Sequence, residues 1–210
     1  METYQYKIEN FLIPLLENIQ SPSILEFGVQ NGFSTIKFLE LCNKNGGYLY
    51  SVDVDDCSKV SKDKRWTFIK SRDDNFDYVQ NKIPNKFDII YLDSLHEAEH
   101  VEKIFYEYYP MLNINGYFII DDISHLPYLQ NKDRNNFYCE INNKETFEKI
   151  LEIYNANEKS FDLNYTLVSS GLAIIKKKEN LKLNRSRKIK SRSFGLKNTI
   201  RRLWKRIKKN

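Results

Sequence analysis

The chain has 210 residues, of which 41% are hydrophobic and 29% are charged, and this fits one domain that is long enough to bury a core. The net charge of +5 conceals two different parts. Residues 176–210 hold 16 basic residues and one acid, whereas the remainder holds 17 basic and 27 acidic residues. We therefore expect an acidic domain, residues 1–178, and a basic segment, residues 179–210, with a separate role.

The composition also excludes several classes of protein. Three cysteines without C-x-x-C spacing favour reduced thiols in a cytoplasmic protein over a disulfide framework or a zinc knuckle. The N-terminus has early acidic residues and a short apolar run broken by Pro14, so we expect no signal peptide. No apolar run approaches the roughly 20 residues needed to cross a bilayer.

Apolar and helical segments alternate from residue 23 onward. The predicted strands are residues 23–29, 48–54, 66–71, 87–93 and 116–122, and the predicted helices are residues 33–44, 96–110 and 144–155. Residues 165–177 are typical of two strands in a hairpin that turns at Ser169-Ser170-Gly171. Strands that are apolar throughout and separated by helices predict an α/β fold. We expect a doubly wound, mostly parallel sheet with helices on both faces and an antiparallel C-terminal hairpin.

Polar residues follow the predicted strands where ligands bind in such sheets, at the carboxyl ends. The groups are Glu26 to Gly32, Asp53, Ser71 to Asp74, Asp93 to His96, and Asp121-Asp122. Bringing carboxylates together costs repulsion and desolvation. We therefore expect a cationic or hydroxyl-rich ligand among them.

The stretch His96-Glu97-Ala98-Glu99-His100 satisfies the H-E-x-x-H pattern of zinc peptidases. In those enzymes the pattern lies in the middle of a helix, whereas His96 comes three residues after a predicted strand. No third ligand follows in a helical context. We interpret His96 as a cleft residue, either a general base or a substrate contact, and His100 as a supporting or surface residue.

The stretch "LEFGVQNGFST" resembles the first motif of the class I S-adenosylmethionine-dependent methyltransferases, acid-x-Gly-x-x-x-Gly. The resemblance implies that Gly28 lets the backbone approach the cofactor and that Gly32 allows close helix packing. It implies that Glu26 orients the amino-acid end of the cofactor, and it adds Ser34 to the cofactor-binding set, although Ser34 or Asn31 could instead cap the following helix.

Two further strand ends extend the resemblance. Asp53, in "YSVDVDD", follows the glycines at the spacing of an acid that accepts hydrogen bonds from the ribose hydroxyls, with Asp55 as the alternative. The loop from Ser71 to Asp74 matches the one that holds the adenine, with Asp73 as the candidate. The resemblance also implies a cofactor contact for Asp93.

Residues 87–124 resemble the family pattern in which a strand ends in Asp-Gly-x-His and the next ends in paired acids, with Ser94 replacing the first glycine. The similarity is closest to the metal-dependent O-methyltransferases of small molecules and sugars. It implies that Asp93, Asp121 and Asp122 hold a divalent cation, with Mg²⁺ favoured by hard oxygen ligands, and that Asp93 and His96 are catalytic. The alternative is that Asp121 and Asp122 only hold loops and that no metal is needed.

The stretch "FGLKNTIRRLWKRIKKN" predicts a cationic amphipathic helix over residues 195–208. Such a helix suits an anionic membrane surface, so the protein could be cytoplasmic and peripheral at a membrane. Nucleic-acid contact and docking on the acidic domain remain alternatives.

The family resemblance implies a metal-assisted O-methyltransferase that acts on a small polyol such as a sugar or a glycan precursor. One alternative is an RNA methyltransferase recruited by its basic tail, although the Asn/Asp-Pro-Pro-aromatic motif of base N-methylation is absent. Another is a non-catalytic binding module on the same fold. A homo-oligomer is compatible with either.

Overall fold

The computed structural model of the protein describes residues 3–125, 137–189 and 196–207. One sheet contains the strands β1 (Ser23–Phe27), β2 (Tyr48–Asp53), β3 (Trp66–Lys70), β4 (Phe87–Leu92), β5 (Leu112–Asp121), β6 (Phe161–Thr166) and β7 (Leu172–Lys177). The α-helices are α1 (Tyr4–Lys7), α2 (Ile13–Leu16), α3 (Phe33–Asn45), α4 (Phe76–Gln80), α5 (Ala98–Tyr108), α6 (Phe137–Asn157) and α7 (Leu196–Ile207). The predicted helix over residues 195–208 is confirmed between its ends; residues 195 and 208 themselves lie outside the described part of the chain.

The strand order is β3-β2-β1-β4-β5-β7-β6. The first five strands are parallel, and β7 pairs antiparallel with both β5 and β6. The direction of winding reverses between β1 and β4, which creates a crevice at the carboxyl ends of these strands. The predicted doubly wound sheet and its antiparallel hairpin are confirmed.

Each face of the sheet carries its own apolar layer. Successive residues of β4 alternate between the layers: Ile90 packs with α5 and α6, whereas Tyr91 packs with the N-terminal helices and α3. A strand covered on both faces must be apolar at nearly every position, which explains the unbroken runs in the sequence. The layers hold the carboxyl ends of β1, β2 and β4 rigidly side by side.

The N-terminal segment is helical, which the sequence analysis did not predict. A π-helical turn, Ile8–Leu12, joins α1 to α2, and the buried side chains Ile8, Leu12 and Leu16 follow one another at intervals of four. A π-helical turn widens the backbone locally and changes the direction of the side chains before it. Tyr4 and Lys7, which precede it, both reach the strand ends of the sheet.

The chain beyond residue 178 continues to contact the domain. Leu183 packs against the core, the backbone N–H of Asn184 donates to Asn157, and that of Arg187 donates to the carbonyl of Glu152. The predicted boundary at residue 178 therefore does not coincide with the end of these contacts. Among the helices of the described ranges, none has both the length and the apolar character required to cross a bilayer.

Candidate functional site

A cleft with a volume of about 650 Å³ lies at the carboxyl ends of β1, β2 and β4, where the winding reverses. This volume is within the range of roughly 300–1,000 Å³ that is typical of small-molecule sites. The predicted site residues that line it are Gly28, Ser34, Asp53, Asp73, Asp93, His96 and Asp122. The sheet therefore brings together seven of the predicted residues, whereas Glu26, Gly32 and Asp121 lie outside the lining.

Gly28 forms the floor of the cleft directly after β1. Its φ of 90° lies in the left-handed region, and a Cβ at this position would stand 1.8 Å from the carbonyl oxygen of Asp93. Any side chain would therefore separate β1 from the end of β4. The close approach of these two backbones keeps the space above them open for a ligand.

Gly32 and Ser34 lie at the start of α3. Gly32, with a φ of 78°, is the N-cap residue of α3, and a Cβ on it would stand 2.2 Å from a methyl group of Val60, away from the cleft. The hydroxyl of Ser34 does not cap α3; it donates to Glu26 at 2.6 Å. Ser34 still borders the cleft, whereas Gly32 serves the packing of the loop.

Glu26 lies beneath the cleft and is fully buried, so its predicted contact with the cofactor does not match its position. Its carboxylate accepts hydrogen bonds from the hydroxyls of Ser34, Thr35 and Ser51 at 2.6–2.7 Å. Burial raises the pKa of Glu26 to about 7, although these three hydrogen bonds act in the opposite direction. The carboxylate links β1, β2 and the first turn of α3 beneath the loop that follows β1.

Asp53 ends β2 and borders the cleft. Its Oδ2 accepts hydrogen bonds from the backbone N–H groups of Val29 and Gln30 at 2.7 and 3.1 Å, and its Oδ1 accepts from that of Asp55 at 2.9 Å. The carboxylate thus fixes the loop after β1. Oδ2 already accepts two hydrogen bonds and Oδ1 one, so Oδ1 can accept a further hydrogen bond from a ligand hydroxyl.

Asp73 follows β3 and faces the loop after β4. Its Oδ2 accepts hydrogen bonds from Ser94 at 2.5 Å and from Nε2 of His100 at 2.9 Å. Burial alone would raise the pKa of Asp73, but these two partners hold it below its ordinary value. His100 therefore supports an acid of the cleft, a contact that the sequence left undecided.

Asp93 follows β4 at the centre of the cleft. Its Oδ2 accepts a hydrogen bond from the hydroxyl of Tyr4 at 2.9 Å, and the hydroxyl oxygen of Tyr91, which donates its proton to Asp121, lies 3.3 Å away. Burial, followed by the nearby charge of Asp121, raises the pKa of Asp93 well above its ordinary value. Asp93 is therefore a stronger base than an exposed aspartate.

His96 lies between two acids at the mouth of the cleft. Its Nε2 is 3.6 Å from Oδ1 of Asp93 and 3.5 Å from Oδ2 of Asp122. It precedes α5, which begins at Ala98 rather than at residue 96 as expected, whereas His100 lies on the helix and contacts a different acid. The two histidines do not share a ligand position, so the H-E-x-x-H spacing has no metal-binding meaning here.

Asp121 is the last residue of β5 and is buried. It forms an ion pair with the ammonium of Lys7, which is equally buried, and accepts hydrogen bonds from Ser170 at 3.0 Å and Tyr91 at 2.5 Å. Burial alone would raise its pKa, but the charge and hydrogen bond of Lys7, together with that of Tyr91, hold the pKa of Asp121 below its ordinary value. Lys7 is a functional-site residue that sequence reasoning missed.

The predicted metal set does not fit this arrangement. Asp121 already has a cation, Lys7, and both of its oxygens accept hydrogen bonds. Asp93 and Asp122 do border the cleft, but Asp121 faces the layer below. No group of three or more His, Cys, Asp and Glu side chains within the described ranges is arranged to hold a metal ion.

Residues 25–123 match the family model of a methyltransferase domain. This match covers β1 to β5 and every cleft residue that follows a strand. No curated protein matches the sequence.

Solved structures with the same fold include several methyltransferases. MycE from the mycinamycin biosynthetic pathway, in complex with Mg and SAH, is 19% identical, with a TM-score of 0.63 over 85% of this chain and 51% of MycE. SAH-bound PaMTH1 from Podospora anserina is 15% identical, with a TM-score of 0.64 over 80% of this chain and 77% of PaMTH1. A protein from Staphylococcus aureus, provisionally described as a caffeoyl-CoA O-methyltransferase, is 18% identical, with a TM-score of 0.60 over 84% of each chain.

At these identities the structural likeness establishes the fold alone. The chain spans only about half the length of MycE.

Proposed function

We propose that the chain carries a class I, S-adenosylmethionine-dependent methyltransferase domain and that it transfers the methyl group to an oxygen atom of a small, hydroxyl-rich acceptor. The observation that carries this proposal is the convergence of Asp53, Asp93 and His96 around one cleft.

The first half of the cleft suits S-adenosylmethionine. Gly28 leaves room for a ligand close to the backbone, and Oδ1 of Asp53 can accept a hydrogen bond from a ribose hydroxyl. Asp73 borders the same side and is the candidate for the adenine contact. When bound, S-adenosylmethionine supplies a methyl group on a positively charged sulfur, which an acidic cleft stabilises.

The second half suits a hydroxyl acceptor. An alcohol must lose its proton as its oxygen attacks, and imidazole is the side chain that exchanges protons most readily near neutral pH. We propose that the pair of His96 and Asp93 accepts this proton. Nε2 of His96 is 3.6 Å from Oδ1 of Asp93. Asp122, on the other side of His96, stabilises the imidazolium that forms.

The electron balance of the step needs no other reactant. The acceptor oxygen bonds to the methyl carbon, the bond from that carbon to sulfur breaks, and its electron pair stays on sulfur. The acceptor proton passes to His96 and then to water. Tyr4 donates a hydrogen bond to Oδ2 of Asp93 and leaves Oδ1 facing His96.

The acids of the cleft also bear on the acceptor class. Asp93 and Asp122 can accept hydrogen bonds from vicinal hydroxyls, whereas they would repel a phosphate-rich acceptor. A sugar or another small polyol is therefore favoured over RNA. A non-catalytic binding module would not require an imidazole between two carboxylates.

We propose a reaction without a metal ion, because Asp121, one of the three expected metal ligands, is paired with Lys7. The chain's own groups hold and move the proton in the proposal. Methyl transfer is accordingly expected to continue in the presence of a chelator. Loss of transfer in chelator and recovery with Mg²⁺ would return the assignment to a metal site on Asp93 and Asp122.

The proposed function is tested with the purified chain, S-adenosylmethionine and a panel of sugars, catechols and nucleosides. We expect calorimetry to show cofactor binding and mass spectrometry to show one methyl group on an acceptor oxygen. His96→Gln is expected to lower the turnover rate by about 10²–10⁴-fold with unchanged cofactor affinity. An intact protein that does not bind the cofactor, or a product methylated on nitrogen, would refute the proposal.

A further inference from the structure

The stretch of residues 176–210, which comprises the last two residues of β7, Lys178 and the basic segment, differs in net charge from the rest of the chain. It carries 16 Lys and Arg side chains and a single acid, Glu179, whereas the rest of the chain has an excess of ten acids. The proposed methyl transfer uses none of these basic residues, because the cleft is built from residues that precede β6. The positive charge therefore needs a separate explanation.

The helix α7 presents an apolar stripe to solvent. Leu196, Ile200 and Trp204 are 80%, 50% and 61% exposed. Residues four apart on an α-helix are offset by only about 40°, so these three side chains follow one another along one side. Lys197 and Arg201, next to them in sequence, are also exposed. Apolar and cationic groups thus share the accessible surface of α7.

We propose that α7 docks on an anionic lipid surface, with its apolar stripe inserted at the boundary of headgroups and acyl chains and its cations against the headgroups. A helix of 12 residues gains little stability in water alone, and neighbouring cations repel each other. A lipid interface removes both costs, since it buries the stripe and neutralises the charge. This inference does not depend on the identity of the methyl acceptor.

A nucleic acid and the acidic domain of the same chain are two other possible partners, and each explains fewer of these observations. A nucleic acid would neutralise the basic residues but would leave Leu196 and Ile200 in water. The acidic domain of the same chain is also complementary in charge, but Leu196, Ile200 and Trp204 are each at least half exposed in the structure. The lipid surface is the partner that accounts for both the charge and the stripe.

The test uses the full chain and sedimentation with vesicles of phosphatidylcholine alone or mixed with phosphatidylserine. We expect binding to the mixed vesicles that is at least about tenfold tighter than to phosphatidylcholine, and that weakens as salt is raised. A fluorescence shift of Trp204 toward shorter wavelength, measured with Trp66→Phe as background, would report insertion of the helix.

Two variants separate the contributions of charge and stripe. The double substitution Lys197→Glu and Arg201→Glu is expected to weaken binding to mixed vesicles by at least about tenfold. Leu196→Ser together with Ile200→Ser should weaken it by a similar factor. The matched control is Lys62→Glu with Lys64→Glu, which makes the same charge change at exposed positions before β3 and is expected to change binding by less than about threefold.

Three results would overturn the proposal. The first is equal binding to both kinds of vesicle, which would remove the role of anionic lipid. The second is binding that survives both α7 variants. The third is no binding to vesicles; if the chain then binds a mixed-sequence RNA with a steep salt dependence, the basic segment has a nucleic-acid partner instead.

Discussion

Two buried carboxylates support the two halves of the cleft, and they are stabilised in opposite ways. Glu26, below the cofactor half, is surrounded by three hydroxyl donors, and its pKa is raised to about 7. Asp121, below the acceptor half, is paired with Lys7, and its pKa is lowered. Both side chains are fully or almost fully buried.

The difference shows that burial alone does not determine the ionisation of an acid. Hydroxyl groups satisfy the oxygens of Glu26 but bring no charge, so desolvation dominates and the proton is retained. The ammonium of Lys7 brings a full charge, which outweighs desolvation at Asp121. The buried Asp121 thus has a cationic partner, Lys7, whereas the described partners of the buried Glu26 are all uncharged hydroxyl groups.

The largest expected effect comes from removing that cation. Lys7→Met should lower the free energy of unfolding by about 3–5 kcal/mol, because it leaves the buried Asp121 charge without its partner. Urea unfolding at neutral pH measures the loss. Since the pKa of Asp121 is lowered in the fold, the stability that the pair contributes is lost as the pH falls, so wild type and variant should converge in acid.

Two controls accompany this variant. The double variant Lys7→Met with Asp121→Asn should recover at least half of the loss, because it removes both charges. Lys37→Met, which breaks a partly exposed pair with Glu9 and Glu40, should cost no more than about 1 kcal/mol. A Lys7→Met loss as small as that of Lys37→Met would contradict the contrast between the two halves.

The next effect concerns the cofactor half, where an acid that borders the cleft is expected to act on the ligand. Asp53→Ala should weaken S-adenosylmethionine binding by about 2–4 kcal/mol, since a charge-assisted hydrogen bond to the ligand is lost and the N–H groups of Val29 and Gln30 lose their acceptor. Calorimetry gives the affinity, and circular dichroism checks that the fold is intact. Asp55→Ala, the neighbouring exposed acid, is the matched comparison; a larger loss for Asp55 than for Asp53 would transfer the ribose assignment to Asp55.

The smallest expected effect is the change in the pH dependence of the free energy of unfolding when Glu26 is replaced. The unfolded chain loses this proton near pH 4.5 and the fold keeps it to about pH 7, so stability should fall as the pH rises between these values. Glu26→Gln removes this contribution. The free energy of unfolding of wild type relative to the variant should therefore decrease by up to about 3 kcal/mol across that window.

Urea unfolding of both proteins at several pH values measures this change. Glu17→Gln, at an exposed glutamate, controls for the loss of a charge and should alter stability by no more than about 0.5 kcal/mol. Parallel curves for wild type and Glu26→Gln would show that the hydroxyl cluster keeps the carboxylate ionised, and the contrast with Asp121 would then disappear.

The strands and the cleft were predictable from the sequence because both depend on local patterns. Unbroken apolar runs identify strands that are covered on both faces, and the residues that follow them must meet at one edge of the sheet. Asp53, Asp93 and His96 follow β2 and β4 and do border the cleft.

The errors at Asp121 and at the N-terminus have different physical origins. Asp121, the last residue of β5, is buried beside Lys7, whereas Asp122, which follows the strand with a φ of 56°, borders the cleft. The sequence did not show that the direction of the backbone changes between these two acids. Lys7 and Tyr4 could not be recognised from the sequence either. Their partners lie 114 and 89 residues away along the chain, and only the packing of the N-terminal helices brings them together.

The pairing of Lys7 with β5 and the β6–β7 turn also bears on the order of events during synthesis. Lys7 leaves the ribosome well before its partners, because Asp121 and Ser170 follow it 114 and 163 residues later. At about 5–20 residues per second, the ammonium waits for roughly 10–30 s before both partners exist. The acceptor half can therefore close only on a nascent chain that has been translated almost to the end of the sheet, whereas all three hydroxyl partners of Glu26 follow it within 25 residues.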